Sequence, residues 1–237
     1  MVEPQQALLS VVVLNALLVA LTIGFFWAGV LVVRSFGRKV GYSLAPLGFA
    51  RPRGGSLAGI RLGVAVGAGA VIVSIPLNLA TTFIFDRLGY STERMIQGPF
   101  MRGLFQWVQE RPDAAIPAII LVVVIFGPAV EELVFRGAIF NGLYRLGRLI
   151  LDSPDGSRKT AKRVSFALSA LISSVIFALL HLEPTLLPAL LILAVGLCAL
   201  FERTGSLLPT FVAHATFNSF AVSLIILAGL GVFKVPI

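Results

Sequence analysis

Three stretches of the sequence place polar side chains of catalytic types inside otherwise apolar runs. Glu131, Glu132 and Arg136 lie in one such run, and the only two histidines among the 237 residues, His181 and His214, lie in two others. Ionisable residues at membrane depth are rare, commonly face the interior of a helical bundle and mark functional sites. We therefore expect the fold to bring these groups together.

The spacing within the first stretch separates the two glutamates. Glu132 and Arg136 are four residues apart, so on a helix they share a face and can form an ion pair. Glu131 points about 100° away and has no cation at this spacing, which suits a general base facing a cavity. Pro128 is expected to break the helix and place both glutamates at a helix N-terminus, where negative charge is favoured. A purely structural ion pair is the alternative.

The two histidines each have a partner four residues away. His181 follows Phe177, and His214 precedes Asn218. Taken alone, such pairs are also typical of polar residues that join helices. Taken with the carboxylates, they allow two kinds of hydrolysis. In the first, Glu131 and His181 activate a water. His214 and Asn218 then stabilise the oxyanion. In the second, His181, His214 and a glutamate bind zinc, which carries the water.

Other chemistries have less support. The sequence contains no Gly-rich phosphate loop, no Gly-x-Ser-x-Gly elbow and no His-Glu-x-x-His motif, so serine-hydrolase and zincin interpretations lack their motifs. The buried charges could also serve a transporter as a proton relay, although no inverted repeat or long charged path is visible.

Composition indicates an integral membrane protein. Hydrophobic residues make up 57% of the chain and charged residues 13%, with a mean hydropathy of +0.96, whereas soluble domains have about 45–50% apolar and about 25% charged residues. The net charge of +8 is explained by basic cytoplasmic loops, so no nucleic-acid partner is expected. The single cysteine, Cys198, excludes an internal disulfide and is assigned to packing.

Six apolar runs are each long enough to cross a bilayer, which takes about 20 helical residues. We predict spans over residues 7–33, 62–85, 114–144, 164–182, 185–201 and 207–233. The expected fold is an all-α, polytopic transmembrane helical bundle that forms a single integral-membrane domain over residues 1–237. Gly63, Gly67 and Gly69 should allow close helix packing in the second span.

The loops give the expected orientation. The basic loops 34–61 and 145–163 fall on one side, which the positive-inside rule assigns to the cytoplasm and which puts both termini outside. A turn is predicted at residues 152–156. The opposite loop, 86–113, carries Phe100, Leu104, Trp107 and Val108 at helical spacing, which predicts an interfacial helix, either a surface helix or a lid over the site.

Straight helices would not bring the two histidines together. His181 falls near the outer end of the fourth span, whereas His214 lies seven residues inside the inner end of the sixth. The bundle must then contain tilted, broken or re-entrant segments, which are tolerated where they line a cavity. Pro184 and Pro188 are candidate break points.

Three motifs resemble those of a known family. They read Glu-Glu-Leu-Val-Phe-Arg at 131–136, Phe-Ala-Leu-Leu-His at 177–181 and His-Ala-Thr-Phe-Asn at 214–218. In type, order and spacing they are similar to the EExxxR, FxxxH and HxxxN motifs of the CAAX prenyl protease and bacteriocin-processing (CPBP or Abi) family. The similar region, about residues 115–220, would be the catalytic core. Family members often have eight spans, so residues 207–233 or 86–113 would hide the remainder.

The resemblance implies a type II CAAX-like intramembrane endopeptidase. Glu131 would be the base that acts on water, helped by His181, and His214 and Asn218 would stabilise the oxyanion. Glu132 and Arg136 would support them, together with Phe177 of the second motif.

Two mechanistic classes stay open under this resemblance. One is a metal-independent glutamate peptidase. The other is a metalloprotease with Glu131, His181 and His214 as zinc ligands. The expected substrate is a membrane-embedded or membrane-associated peptide or protein, in a bilayer that is expected to be a prokaryotic cell membrane. A membrane scaffold or regulator of the same fold that cleaves nothing is the alternative function.

Overall fold

Helices account for nearly all of the chain that the structure describes. The structure is a computed structural model that describes residues 4–37, 39, 41, 43–89, 97–151 and 157–233, and no strand occurs within these ranges. A short 3-10 turn follows α1, at Ala45–Leu47. The helices are α1 (Pro4–Ser35), α2 (Ser56–Arg87), α3 (Gln97–Glu110), α4 (Pro112–Leu151), α5 (Arg158–Leu179), α6 (Leu187–Thr204) and α7 (Leu207–Gly229).

The six predicted spans are confirmed as helices long and apolar enough to cross a membrane, namely all of these helices except α3. Large apolar side chains such as Phe25 and Ile72 are exposed on their outer faces, as expected for helices surrounded by lipid. Residues 207–229 form one continuous helix, so the expectation of further spans hidden in this region is wrong. The turn predicted at 152–156 lies outside the described residues.

Close packing of α2 against α7 depends on glycine. A Cβ atom at Gly63 would lie 2.6 Å from the carbonyl oxygen of Pro209, and one at Gly67 would overlap the carbonyl oxygen of Ala213. The two backbones approach because neither position carries a side chain. Gly69, in contrast, faces open space within the described part of the chain, so it has no role in this interface.

The helix predicted between the second and third spans is α3, and its apolar face belongs to the core. Leu104 and Val108 are fully buried, with Leu8 of α1 in the same cluster. On α7, a Cβ atom at Gly229 would lie 2.6 Å from Val108 Cγ1. The interpretation of this segment as a surface helix is therefore wrong, because α3 closes one end of the bundle against α1 and α7. Its use as a lid stays a prediction.

The central helix is α4, which carries the two glutamates. It continues through Pro128, with helical backbone angles at both Phe126 and Gly127. The expected break at Pro128, with the glutamates at a helix N-terminus, is therefore wrong. Both carboxylates lie near the middle of a 40-residue helix, and their charge must be compensated by side chains.

Candidate active site

The backbone of α4 changes its hydrogen-bond register on both sides of the glutamates. Residues Ile120–Phe126 and Leu133–Phe140 are π-helical, and the α-helical turn between them, Gly127–Glu132, ends on both glutamates. The Gly127 amide donates to the carbonyl of Val122, five residues earlier. Such π-segments are frequent at functional sites. Here they let the helix pass Pro128 without a break.

The π-segment explains the position of Asn218. In this register the donor to the Val123 carbonyl would be residue 128, but proline has no N–H. Asn218, on α7, donates its Nδ2–H to the Val123 oxygen at 3.0 Å. The carboxamide therefore satisfies a carbonyl left without a main-chain donor. Its second N–H stays available for another acceptor.

Glu132 and Arg136 form the predicted ion pair, and the protein encloses it completely. Arg136 Nη1 lies 2.9 Å from Glu132 Oε1, and both side chains are 0% exposed. Arg136 Nη2 also donates to the carbonyl of Ala194 on α6, at 3.5 Å. A buried pair of this kind is maintained by geometry and additional hydrogen bonds, since desolvation offsets much of the attraction.

His214 joins the two glutamates across the helix interface. Its Nδ1 lies 2.8 Å from Glu132 Oε1, and its Nε2 lies 3.7 Å from Glu131 Oε2. A carboxylate only accepts hydrogen bonds, so Nδ1 carries the proton that is donated to Glu132. This bond orients the ring and directs Nε2 towards Glu131.

The ring of Phe177 contacts the guanidinium group of Arg136 and the imidazole rings of both histidines. The Arg136 guanidinium carbon lies 4.5 Å from the centroid of its ring, within the range of a cation–π contact. The His181 and His214 rings lie 4.7 Å and 5.6 Å from the same ring, centroid to centroid. Phe177 is fully buried. Both histidines thus reach one side chain, although straight helices would have separated them.

His181 reaches this position because α5 ends before it. The helix stops at Leu179, so the predicted end of the span at 182 is wrong by three residues, and Leu182 has a φ of 54°, a conformation that side chains other than glycine rarely adopt. His181 Nδ1 lies 2.8 Å from the Phe177 carbonyl. A carbonyl cannot donate, so Nδ1 carries the hydrogen and Nε2 is the acceptor nitrogen in the neutral ring.

Glu131 is the least enclosed acid of the group. Its side chain is 27% exposed, whereas Glu132 is fully buried. Oxygen Oε2 of Glu131 is nevertheless buried and accepts no hydrogen bond from the described residues. Against expectation, the apolar cavity of about 470 Å³ between α1, α4 and α7 is lined by Glu132 and not by Glu131. The open side of Glu131 is a separate surface.

The proposed zinc ligands do not assemble into a metal site. Among the described residues, no three His, Cys, Asp or Glu side chains are placed to hold one metal ion. Only the Nε2 atoms of the two histidines could serve as ligands, because Nδ1 is engaged with a main-chain carbonyl in His181 and with Glu132 in His214. As the described side chains are placed, Glu131, His181 and His214 do not converge on one ion, and we derive no catalytic step through one.

Some polar side chains near the site lie outside the three motifs. One of them, Glu183, could still have been identified from the sequence. The hydroxyl of Ser173 donates to the carbonyl of Phe135 in the second π-segment, at 2.9 Å. Glu183 is 3% exposed and accepts a hydrogen bond from Thr185 at 3.0 Å. As an acid in an apolar stretch two residues after His181, Glu183 met the same criterion as Glu131.

Comparison with known proteins finds similarity in the core of the chain. Residues 113–220 match the family described as "Type II CAAX prenyl endopeptidase Rce1-like". The chain is 34% identical over 110 residues to a Bacillus subtilis (strain 168) protein named "Putative membrane peptidase YdiL". This alignment covers 46% of the chain and 37% of the relative. No solved structure is significantly similar. All three motifs lie within residues 113–220, the stretch that matches this family.

Proposed function

We propose that the protein is an intramembrane endopeptidase that hydrolyses a peptide bond in a membrane-associated substrate, with Glu131 as the base. One observation carries this proposal. Glu131 Oε2 is buried without a hydrogen bond from the described residues, 3.7 Å from His214 Nε2, on a partly exposed side chain. The partly exposed carboxylate beside this imidazole is suited to bind a water and take a proton from it.

The proposed reaction uses water as the nucleophile. Glu131 takes one proton from the water while the water oxygen bonds to the carbonyl carbon of the substrate. The C–N bond then breaks, and the proton held by Glu131 passes to the leaving nitrogen. His181 presents Nε2 as an acceptor in its neutral ring, which suits it to orient the same water.

Two groups on α7 are proposed to stabilise the tetrahedral oxyanion. His214 turns Nε2 towards Glu131, and because Nδ1–H is donated to Glu132, Nε2 can donate to the developing charge when the ring is the doubly protonated imidazolium. Asn218 has one N–H committed to Val123 and a second one available. Glu132 and Arg136 act indirectly, by fixing the position of the His214 ring and of the helix that carries Glu131.

The substrate class follows from the family and the surroundings. We propose a membrane-embedded or membrane-associated peptide or protein, of the prenylated CAAX or leader-peptide type, in a prokaryotic cell membrane. The bacterial relative is named as a membrane peptidase. The apolar cavity of about 470 Å³ beside Ala129, Val130 and Glu132 has room for an apolar part of such a substrate.

The test is a cleavage assay on the purified chain in detergent. Wild type and Glu131→Ala are given a quenched fluorescent farnesylated peptide and a library of short membrane peptides, with and without a zinc chelator. Glu110→Ala, which removes an exposed glutamate of α3, is the matched control. We expect cleavage by wild type and the control, with or without chelator, and none by Glu131→Ala.

The other outcomes separate the alternatives. Cleavage by Glu131→Ala at the wild-type rate would refute the proposed base. Loss of wild-type cleavage on chelation would favour the metalloprotease. If wild type cleaves nothing in the library while remaining folded, the scaffold or regulator function is favoured.

A further inference from the structure

A second polar cavity lies far from the glutamates, at the end of the bundle that carries the basic loops. It has a volume of about 400 Å³, and its charged lining includes Arg53, Arg145 and Arg148. Asn141 and Tyr144 lie on the same wall, but their polar groups are bonded within the protein, Asn141 to Pro46 and Arg145 and Tyr144 to Glu202. We call this cavity the arginine pocket. Its three guanidinium groups are suited to an oxygen-rich ligand.

The arginine pocket has an excess of positive charge. Glu202 is the one carboxylate among the described lining residues, and it already pairs with Lys162 Nζ at 2.8 Å. Arg53 donates to the carbonyls of Glu202 and Arg203, contacts that orient its guanidinium without neutralising it. Arg145 has a hydrogen bond to Asn141, a neutral partner. The pocket therefore favours an anion, and fork-shaped guanidinium groups favour phosphate in particular.

An apolar groove begins where the arginine pocket ends. This groove, of about 430 Å³, runs between α1 and α4. Pro46, Asn141 and Arg145 line both cavities, so the two adjoin at these residues. The apolar walls of the groove are formed mainly by Leu18, Leu21, Phe25, Phe26, Val134 and Ile139. The positively charged arginine pocket beside an apolar groove on a lipid-facing surface is suited to an amphiphilic molecule with an anionic head group.

We propose that this composite site binds an anionic phospholipid, with the phosphate in the arginine pocket and one acyl chain in the groove. Charge complementarity selects the head, because each Lys or Arg near a membrane surface adds about 1 kcal/mol of attraction for anionic lipid. Because Arg145 lines both cavities, the head group in the pocket would lie next to the acyl chain in the groove. This site is separate from Glu131 and does not depend on the proposed peptidase function.

The first test measures lipid binding to the purified full chain in a neutral detergent by native mass spectrometry. Phosphatidylglycerol and phosphatidylcholine are titrated in parallel. We expect the Arg145→Gln/Arg148→Gln variant to bind phosphatidylglycerol about thirtyfold more weakly than wild type, as two lost charges imply. Arg148→Gln alone should show part of the loss. Arg102→Gln, an exposed position on α3 at the opposite end, should bind like wild type.

The second test separates a lipid from a free phosphate. Gly142 lines the groove, and a Cβ atom there would meet no described atom within 4 Å, so we choose Gly142→Phe to narrow the groove. We expect this variant to lose phosphatidylglycerol, and inorganic phosphate not to compete with the lipid. Equal phosphatidylglycerol binding by wild type and the double arginine variant would overturn the proposal. Phosphate binding that Gly142→Phe leaves intact, with no lipid preference, would identify a phosphate site instead.

Discussion

The adjacent residues Glu131 and Glu132 lie on two sides of α4 that differ in how far they are buried. On the sealed side, formed by Glu132, Arg136, Phe177 and His214, one carboxylate oxygen receives both an arginine and an imidazole, and the side chains are 0–2% exposed. On the open side, Glu131 is 27% exposed. Each glutamate keeps one oxygen without a hydrogen bond from the described residues, so burial is what separates them. About 100° of helix rotation thus places identical residue types in different surroundings, and we propose that the enclosed acid is structural and the open one reactive.

Under the proposed function, this difference explains how a membrane core can contain a reactive acid. The sealed side joins α4, α6 and α7 through contacts of Arg136 with the Ala194 carbonyl and of His214 with Glu132. Because these contacts do not involve Glu131, we expect Glu131 to contribute little to stability. The variants below test this division, in order of decreasing expected effect on stability.

The largest effect should come from breaking the sealed ion pair. Arg136→Met leaves Glu132 without its cation, and removing one partner of a buried pair costs about 3–5 kcal/mol of unfolding free energy. The double variant Glu132→Gln/Arg136→Met should recover much of that loss, because no uncompensated charge remains. Unfolding in detergent, followed by circular dichroism, measures the unfolding free energies of wild type and these variants. Equal stability of Arg136→Met and wild type would contradict the sealed-side account.

A smaller effect is expected where α7 supports the π-segment of α4. Asn218→Ala leaves the Val123 carbonyl without its donor, which should cost about 1–3 kcal/mol of unfolding free energy. Pro128→Ala restores a main-chain N–H, so adding it to Asn218→Ala should recover stability. Ser219→Ala is the control on the same helix.

The same pair of variants separates structure from chemistry. If Asn218 also donates to the oxyanion, the stabilised double variant should still cleave about 10²-fold more slowly than wild type. Full recovery of both stability and rate would show that Asn218 serves only the Val123 carbonyl.

His181→Asn should have the smallest effect on stability. The residue lies beyond the end of α5, and one of its hydrogen bonds is to a carbonyl in the last turn of that helix. We expect an unchanged unfolding midpoint and a cleavage rate about 10²-fold lower, since a positioned acceptor for water is lost. A drop in stability without a change in rate would assign His181 to packing.

Sequence reasoning identified the spans and the ion pair because both depend on local rules. Each apolar run reaches the range of about 17–25 residues with which a helix crosses a bilayer, and the spacing of Glu132 and Arg136 lets them meet on a helix. The order of EExxxR, FxxxH and HxxxN also pointed to the family over residues 113–220.

The features that the sequence did not predict depend on which backbone groups lack hydrogen-bond partners in the folded chain. Pro128 was expected to break α4, but a π-segment absorbs it and transfers the unsatisfied carbonyl of Val123 to Asn218. The end of α5 before His181 depends on a single residue, Leu182, with positive φ. The burial of the α3 face against α1 and α7 follows from bundle packing, which no local pattern in residues 86–113 specifies.

The most direct test of the account compares Glu131→Gln with Glu132→Gln in one preparation, measuring cleavage rate and unfolding midpoint together. Glu131→Gln should lower the rate by about 10³-fold, within the range for a lost general base, and leave the midpoint unchanged. Glu132→Gln should lower the midpoint. A Glu131→Gln protein that cleaves at the wild-type rate, or that is destabilised as much as Glu132→Gln, would contradict the assignment of Glu131 as the catalytic base.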